Sequence, residues 1–367
     1  MPNKTPHAAA ATRFARAALF AAVVCLSVAP AGAADRVTLA LNWKAQPELG
    51  GFYQAAVDGT YRDAGLEVTI KPGGPKVRNR PLLAAGRVDF LIGTNLLQPF
   101  NAVKQEVPTR AVAAIFQKDP QCLIAHPGQG YNRWDDLRRA PLLMANSGRY
   151  SFFLWMQAAH GFERRNLRPY NHSLGPFLAN KTWIQQGYAT AEPRRVAEAL
   201  GRAPRVFLLA DHGWNSYSTL IETTDAMIRE KPGLVQRFVD ASLTGWRNYL
   251  DGGAQATRAA NQRIKRDNPT MTDGQIAYSL EAMRERGLVD SGDALTRGVG
   301  AMDAERVESF FAKMVTAGIY KPGEIDPARS FTAQFVNRGV GRRQQPGEPN
   351  AVQAPPVQAD QNQPTAR

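Results

Sequence analysis

From Val37 onward, short apolar, β-rich runs alternate with helix-spaced segments across links of only a few residues, and nothing else in the chain restricts its fold as strongly. The run "VTLALNW" reads as a strand, Gly51 to Ala64 as a helix with Phe52, Ala55, Ala56 and Tyr61 on one side, and "GLEVTI" as the next strand. "RPLLAAG", "RVDFLIG", "NLLQPFNAVKQ" and "TRAVAAIF" continue as helix, strand, helix and strand. A second set of the same form follows: "QCLIAHP", "RWDDLRR", "PLLMAN", Tyr150 to Gly161, "TWIQQGYAT", Glu192 to Leu200 and "PRVFLLAD". Such alternation is the sequence form of βαβ units and a largely parallel sheet, and its doubling predicts two α/β lobes.

From about Asp225 the pattern turns helical. Leu234, Phe238, Leu243, Trp246 and Leu250 form an apolar stripe, with Pro232 near the start and Gly252-Gly253 at the stop. Further helices are expected over Ala259 to Arg266, Thr272 to Arg286 and Ala304 to Gly318. With no new strand series, these helices should pack back onto a lobe. Residues 341–367 are rich in Gln, Pro and Asn with almost no large apolar side chain, the composition of a disordered tail.

The first 33 residues have a different character. Lys4, Arg13 and Arg16 precede an apolar run from Ala17 to Val28, then Pro30 and the small triplet Ala31-Gly32-Ala33. That order is a cleavable secretory signal, 1–33, and predicts a periplasmic protein. Cleavage would remove Cys25 and leave Cys122 alone, so the mature fold must stand on core packing without an internal disulfide. Val24 before Cys25 is bulkier than the small residue that suits lipid attachment. The net charge of +13 comes from Arg and Lys spread along helices rather than from a basic run interleaved with aromatics, so no nucleic-acid partner is expected.

Enzyme signatures are missing from the sequence: there is no G-x-S-x-G elbow, no H-E-x-x-H helix and no phosphate loop. The histidines are not at metal-ligand spacing. No catalytic residue, metal or cofactor is therefore expected. "KPGGPK" at 71–76 lacks the Lys-Ser/Thr ending of a nucleotide loop and reads as a tight turn carrying backbone amides to a cleft. Ligands of open α/β sheets sit beyond strand carboxyl ends, and polar or aromatic residues gather there. Asn42 and Trp43 follow the first strand, Thr94 and Asn95 follow "DFLIG", Asn146 and Ser147 follow "PLLMA", Tyr188 and Thr190 end "WIQQGYAT", and Asp211 to Trp214 follow "VFLLA". Trp43 and Tyr53 offer flat faces for a planar ring. Glu192 suits either a helix N-terminus or an acceptor for ligand amino groups. The Pro-Glu-Leu-Gly-Gly stretch at 47–51 would let the chain double back and bring Tyr53 to the same ligand.

The stretches "LALNWKAQPELGGFYQAAVDGTYRDAGLEVTIKPGGP", "LLAAGRVDFLIG", "IQQGYATAEP" and "YSTLIETTDAMIREKPGLVQRFVDASLTGWRNYL" resemble the substrate-binding proteins of bacterial ABC importers, in the group related to thiamine-pyrimidine synthesis and alkanesulfonate-binding proteins. The resemblance spans about Val37 to Phe335. It implies a two-lobed type II periplasmic binding protein fold, each lobe a mostly parallel sheet flanked by helices. Lobe one would be 36–117 plus 213–340 and lobe two 118–212, with a small planar heterocycle, of pyrimidine or vitamin-precursor type, captured between them. An inner-membrane ABC permease is the implied partner, the receptor itself being a monomer. Asn42 and Trp43 carry over as ligand contacts, as do Tyr53, Thr94, Asn95, Tyr188 and Glu192 by position. A sulfonate or nitrate receptor stays open through Arg149. A pyrimidine-synthesising enzyme is the alternative from another class, but the cysteine-rich motif of its eukaryotic relatives is lacking here. An adaptor or sensor ectodomain using the basic surface and tail is a third possibility.

Overall fold

The computed structural model describes residues 33–74 and 77–343. The secretory-signal reading, apart from Ala33, and the tail beyond Arg343 lie outside the described residues, as do Pro75 and Lys76.

Two five-stranded sheets organise residues 35–343. The first contains β1 (Asp35–Ala40), β2 (Leu66–Lys71), β3 (Phe90–Asn95), β4 (Thr109–Phe116) and β10 (Ser218–Thr224), in the order β2-β1-β3-β10-β4. The second contains β5 (Gln121–Ala125), β6 (Leu142–Met144), β7 (Leu167–Pro169), β8 (Ile184–Tyr188) and β9 (Arg205–Leu208), in the order β7-β6-β8-β5-β9. Both are mixed. β1 runs parallel to β2 and β3, and β6 to β7 and β8. β10 is antiparallel to β3 and β4, and β5 to β8 and β9. The antiparallel pairs arise where the chain passes between sheets: β5 enters the second, and β10 returns into the middle of the first.

β10 is the strand that the sequence pattern does not disclose. Its stretch "STLIETT" carries Glu222 in a fully buried position, where both carboxylate oxygens take the Arg80 guanidinium at 2.6 and 2.7 Å. An acid in a strand buried on both faces breaks the apolar pattern by which such strands are read. The pairing satisfies it, because a buried carboxylate needs an opposite charge or strong hydrogen bonds.

Seven helices position the site: α1 (Gly50–Val57), α2 (Phe152–His160), α3 (Glu192–Leu200), α4 (Pro232–Asp251), α5 (Arg258–Asp267), α6 (Asp273–Glu285) and α7 (Ala304–Thr316). α1 crosses α4 at very short range. A Cβ on Gly50 would lie 2.6 Å from Tyr249 Cδ1, and one on Gly51 2.6 Å from Trp246 Cα. Gly245 answers from α4, where a Cβ would lie 3.0 Å from Ala55 N. Gly50 has ordinary helical angles, φ −62° and ψ −33°. The expectation of a glycine turn is therefore corrected: the two glycines stand inside the helical path and remove side chains so that α1 can lie against the Trp246 and Tyr249 rings. Leu234, Val235, Phe238, Val239 and Leu243 complete the buried face of α4.

Adding a methyl group at such a contact forces backbone or ring displacement, an overpacking cost of about 1–3 kcal/mol. Gly51→Ala is accordingly expected to lower thermal stability by that order, read from a denaturant or thermal melt. An unchanged melt would show that α1 and α4 separate freely.

Candidate functional site

The seam between the two sheets begins with two crossings, through residues 117–120 and 209–217. Asp119, buried in the first crossing, accepts from Trp214 Nε1 in the second (3.0 Å), from Gln121 N at the start of β5 (3.1 Å), and from Asn95 Nδ2 at the end of β3 (3.2 Å). Burial pushes its carboxyl up, opposed by these hydrogen bonds. Asn95, expected to contact ligand, is thus spent on structure, since its Oδ1 also takes the Leu97 N–H at 3.2 Å. Trp214, from the last of the strand ends singled out by sequence, is wholly buried.

On the first lobe, the carboxyl end of β1 makes a shelf. Gly73 donates its N–H to Trp43 O at 2.9 Å, and a Cβ there would lie 2.8 Å from Trp43 N. The glycine of "KPGG" thereby allows close backbone approach and fixes the peptide that carries the indole. Asn42 and Trp43 are half-buried. The Trp43 ring faces His172 of the second lobe, with centroids 6.4 Å apart and planes tilted by 48°. His172 in turn lies 5.1 Å from Tyr170. Thr94 is exposed at the end of β3; its N–H donates to Gln98 Oε1 and its carbonyl accepts from Ser218 Oγ.

Tyr53 is a correction. It has no exposed surface, and its hydroxyl donates to Asp267 Oδ2 on α5 at 3.0 Å. With Gly50 and Gly51 fixing the rotation of α1 against α4, residue 53 lands on the flank facing α5 and packs as core.

On the second lobe, Asn146 and Ser147 are exposed just beyond β6. Arg149 donates to Met144 O at 3.3 Å. Tyr188 ends β8 half-buried, its phenol beside the hydroxyls of Ser218 and Thr219 in the first lobe, and burial pushes that phenol well up. Glu192 begins α3 and accepts the Tyr188 N–H through Oε2 at 2.8 Å. As the first residue of α3 it also sets its charge at the helix N-terminus. The side chain is half-buried.

Glu48, which sequence reasoning passed over, spans the junction of the two lobes. It lies in the 3-10 turn Pro47–Leu49 of the first lobe and is 4% exposed. Thr190 of the second lobe donates its hydroxyl to Glu48 Oε1, while Oε2 has no partner. Burial, abetted by the neighbouring Glu192 carboxylate, raises the Glu48 carboxyl to about 7, against the lowering effect of Thr190. α6 grips the adjoining backbone: Tyr278 donates to Ala189 O (3.1 Å), and Gln275 and Ser279 both donate to Thr190 O (2.8 Å). Gln185, fully buried on β8, has neither amide atom paired, and the Tyr170 hydroxyl is likewise unpaired. Gln185 shares a strand face with Gly187, where a Cβ would lie 3.3 Å from Glu192 Cβ. The available signal for Glu48 was its place, an acid two residues before the glycines that draw α1 against the core.

A family model described as NMT1/THI5 like matches residues 46–256, more than half of the chain. The chain belongs to the NMT1/THI5-like family. It is similar to the riboflavin-binding protein RibY of Chloroflexus aurantiacus, with 25% identity over 319 residues, 83% of this chain and 87% of that one. The fold is that of the aliphatic sulphonate binding protein SsuA from Escherichia coli, a periplasmic protein (12% identity, 88% of this chain and 98% of that chain, TM-score 0.56). The desulfurization enzyme DSZB shares it as well (14% identity, 82% and 97% coverage, TM-score 0.52). The two-lobed α/β architecture of periplasmic binding proteins is therefore established for this family member, and the fold alone does not separate binding from catalysis.

The raised Glu48 carboxyl has a consequence for stability. Between about 4.5 and 7 the folded chain holds a proton that the unfolded chain has released, so this group favours folding at low pH and its contribution is lost as pH rises through 7. Ligand-free Glu48→Gln should gain melting temperature relative to the parent at about pH 8 and not at about pH 5. An identical change at both pH values would place the Glu48 titration outside this range.

Proposed function

We propose that this protein is the periplasmic solute receptor of an ABC importer and that it captures a small planar nitrogen heterocycle in the seam between its lobes. The observation that carries the reading is a half-buried indole, Trp43, facing His172 of the second lobe, together with a buried carboxyl oxygen without a partner on Glu48, whose other oxygen meets Thr190 across the lobes. Nearly all buried polar groups in folded proteins find a hydrogen-bond partner, and the exceptions gather where a ligand or water belongs. A flat aromatic wall backed by donors and acceptors suits a heteroaromatic ring.

The ligand contacts are Asn42 and Trp43 from the first lobe, with Thr94 beside them. Asn146, Ser147 and Glu192 serve from the second, and Tyr188 closes the floor against β10. The half-buried Glu192 carboxylate accepts from a ring N–H or amino group. Riboflavin, the ligand in the name of the relative RibY, and aminopyrimidines both meet this description. The seam disfavours the sulfonate reading: although the whole chain carries +13, Glu48, Glu192 and Asp119 put carboxyl groups at its floor, and Arg149 is tied to Met144 O. An anion site requires converging cations or amides.

Ligand bound to both lobes favours the closed arrangement by its differential affinity, and the permease reads that arrangement. The secretory segment 1–33 would deliver the receptor to the periplasm, and among the described residues no helix is long and apolar enough to cross a membrane.

The test is a thermal-shift series with riboflavin, 4-amino-5-hydroxymethyl-2-methylpyrimidine, taurine and nitrate. A ligand at a hundred times its dissociation constant adds about 2.7 kcal/mol, a shift of several degrees. Shifts with a heterocycle alone support the reading, whereas shifts confined to taurine or nitrate would reassign the receptor to anions. Trp43→Ala should weaken heterocycle binding at least tenfold, about 1.4 kcal/mol, while the ligand-free melt stays close to that of the parent. Undiminished affinity would remove the stacking role.

A further inference from the structure

Glu48 combines three properties found together nowhere else in the described seam. It is supplied by the first lobe yet hydrogen-bonded to Thr190 of the second, so its side chain spans the junction. It is 4% exposed. One of its two oxygens is unpartnered. A carboxyl group in that state costs the fold free energy, because removal from water is not repaid by a full set of hydrogen bonds. Simple packing gives no reason for an acid here, since its neighbours Pro47 and Leu49 are buried apolar residues and the next turn of chain is the glycine pair pressed against Trp246 and Tyr249.

We infer that Glu48 is a ligand-contact residue: its free Oε2 accepts a hydrogen bond from an N–H donor on the bound heterocycle, which selects ligands whose inner edge donates. The inference rests on the heterocycle reading above and adds to it a requirement for donor chemistry at one ligand edge. A proton balance follows. In the empty site near neutrality, part of the population holds a proton on Glu48. An incoming N–H donates to the carboxylate form only, so binding expels that proton to solvent. Affinity then rises as pH increases through the neutral range and falls as Glu48 is protonated.

The groups around Glu48 fit this coupling. Glu192 at the start of α3 is the neighbouring charge that disfavours a second carboxylate, and a ligand donor placed between the two relieves that repulsion. The Tyr188 and Tyr249 phenols, at the end of β8 and on α4, also feel the Glu48 charge and stay neutral, because burial pushes both up. α6 packs against the 3-10 turn and offers no cation to replace the ligand donor: Gln275, Tyr278 and Ser279 are turned to the 189–190 backbone, and Arg284 to Leu250 O at 2.8 Å.

The deciding experiment is titration calorimetry of the full chain with riboflavin and with 4-amino-5-hydroxymethyl-2-methylpyrimidine, at about pH 6 and about pH 8, in two buffers of different ionisation enthalpy. For whichever probe binds, the wild type should release protons and bind roughly five- to tenfold more tightly at the higher pH, the most that one group can supply being tenfold per unit. Glu48→Gln should bind more weakly with no buffer dependence, and the N3-methylated flavin should behave with wild type as the parent flavin does with Glu48→Gln if that edge faces inward. Tight binding with no proton release and no pH dependence in the wild type would overturn the inference while leaving the receptor reading standing, the free oxygen then belonging to a buried water. That measurement needs no variant, so a Glu48→Gln chain that fails to fold leaves the decision intact. Absence of binding by either probe at both pH values would sink the heterocycle reading and this inference with it.

Discussion

The geometry of the seam depends on one buried carboxylate. Asp119 sits where the chain first crosses between sheets, and its hydrogen bonds reach the second crossing through Trp214 and the end of β3 through Asn95. Three segments distant in sequence are thereby held at one point. α7 fastens the same region from behind: Arg306 donates to Gln117 O in the first crossing and to Asn215 O in the second (3.0 Å), with its guanidinium over the Tyr217 ring at 4.0 Å. Lys313 adds a bond to Asn215 Oδ1 at 2.9 Å.

The seam is unequal in its two sides. The first lobe offers a rigid shelf, because Gly73 locks the Trp43 peptide and the glycine-lined crossing of α1 on α4 leaves little play beneath Glu48. The second lobe offers the stretch from Tyr188 to Glu192, held by α6 through the carbonyls of Ala189 and Thr190. Polar groups already paired, such as Asn95 and the Tyr53 hydroxyl, build this frame. Of the unpaired buried groups, Glu48 Oε2 lies where the two lobes meet, whereas those of Thr109 and Trp246 lie in the first lobe's core. Division of labour between satisfied and unsatisfied polar atoms is what distinguishes a frame from a site when the fold is shared by binding proteins and an enzyme.

Much of the architecture was legible in the chain because periodicity reports local structure. The helix expected from Glu192 to Leu200 forms over that span, and the strands "QCLIAHP" and "TRAVAAIF" form where their apolar runs predict. β10 escaped notice because a buried Glu222 interrupts it, and its partner Arg80 is remote in sequence. The site was legible in outline only. Strand ends pointed to Asn42, Trp43 and Glu192, which the structure leaves half-buried, but side-chain direction moved Tyr53 and Trp214 into the core and committed Asn95 to Asp119.

By itself, then, the sequence determined the alternation of strands and helices, the doubling into two α/β sets and the polar character of the strand ends, since these follow from residue type and spacing along the chain. Only the tertiary structure decided that the Gly50-Gly51 pair serves a helix crossing, and that Glu48 meets Thr190 across the seam with an oxygen to spare. Those facts depend on contacts between residues far apart in sequence, which no local period records.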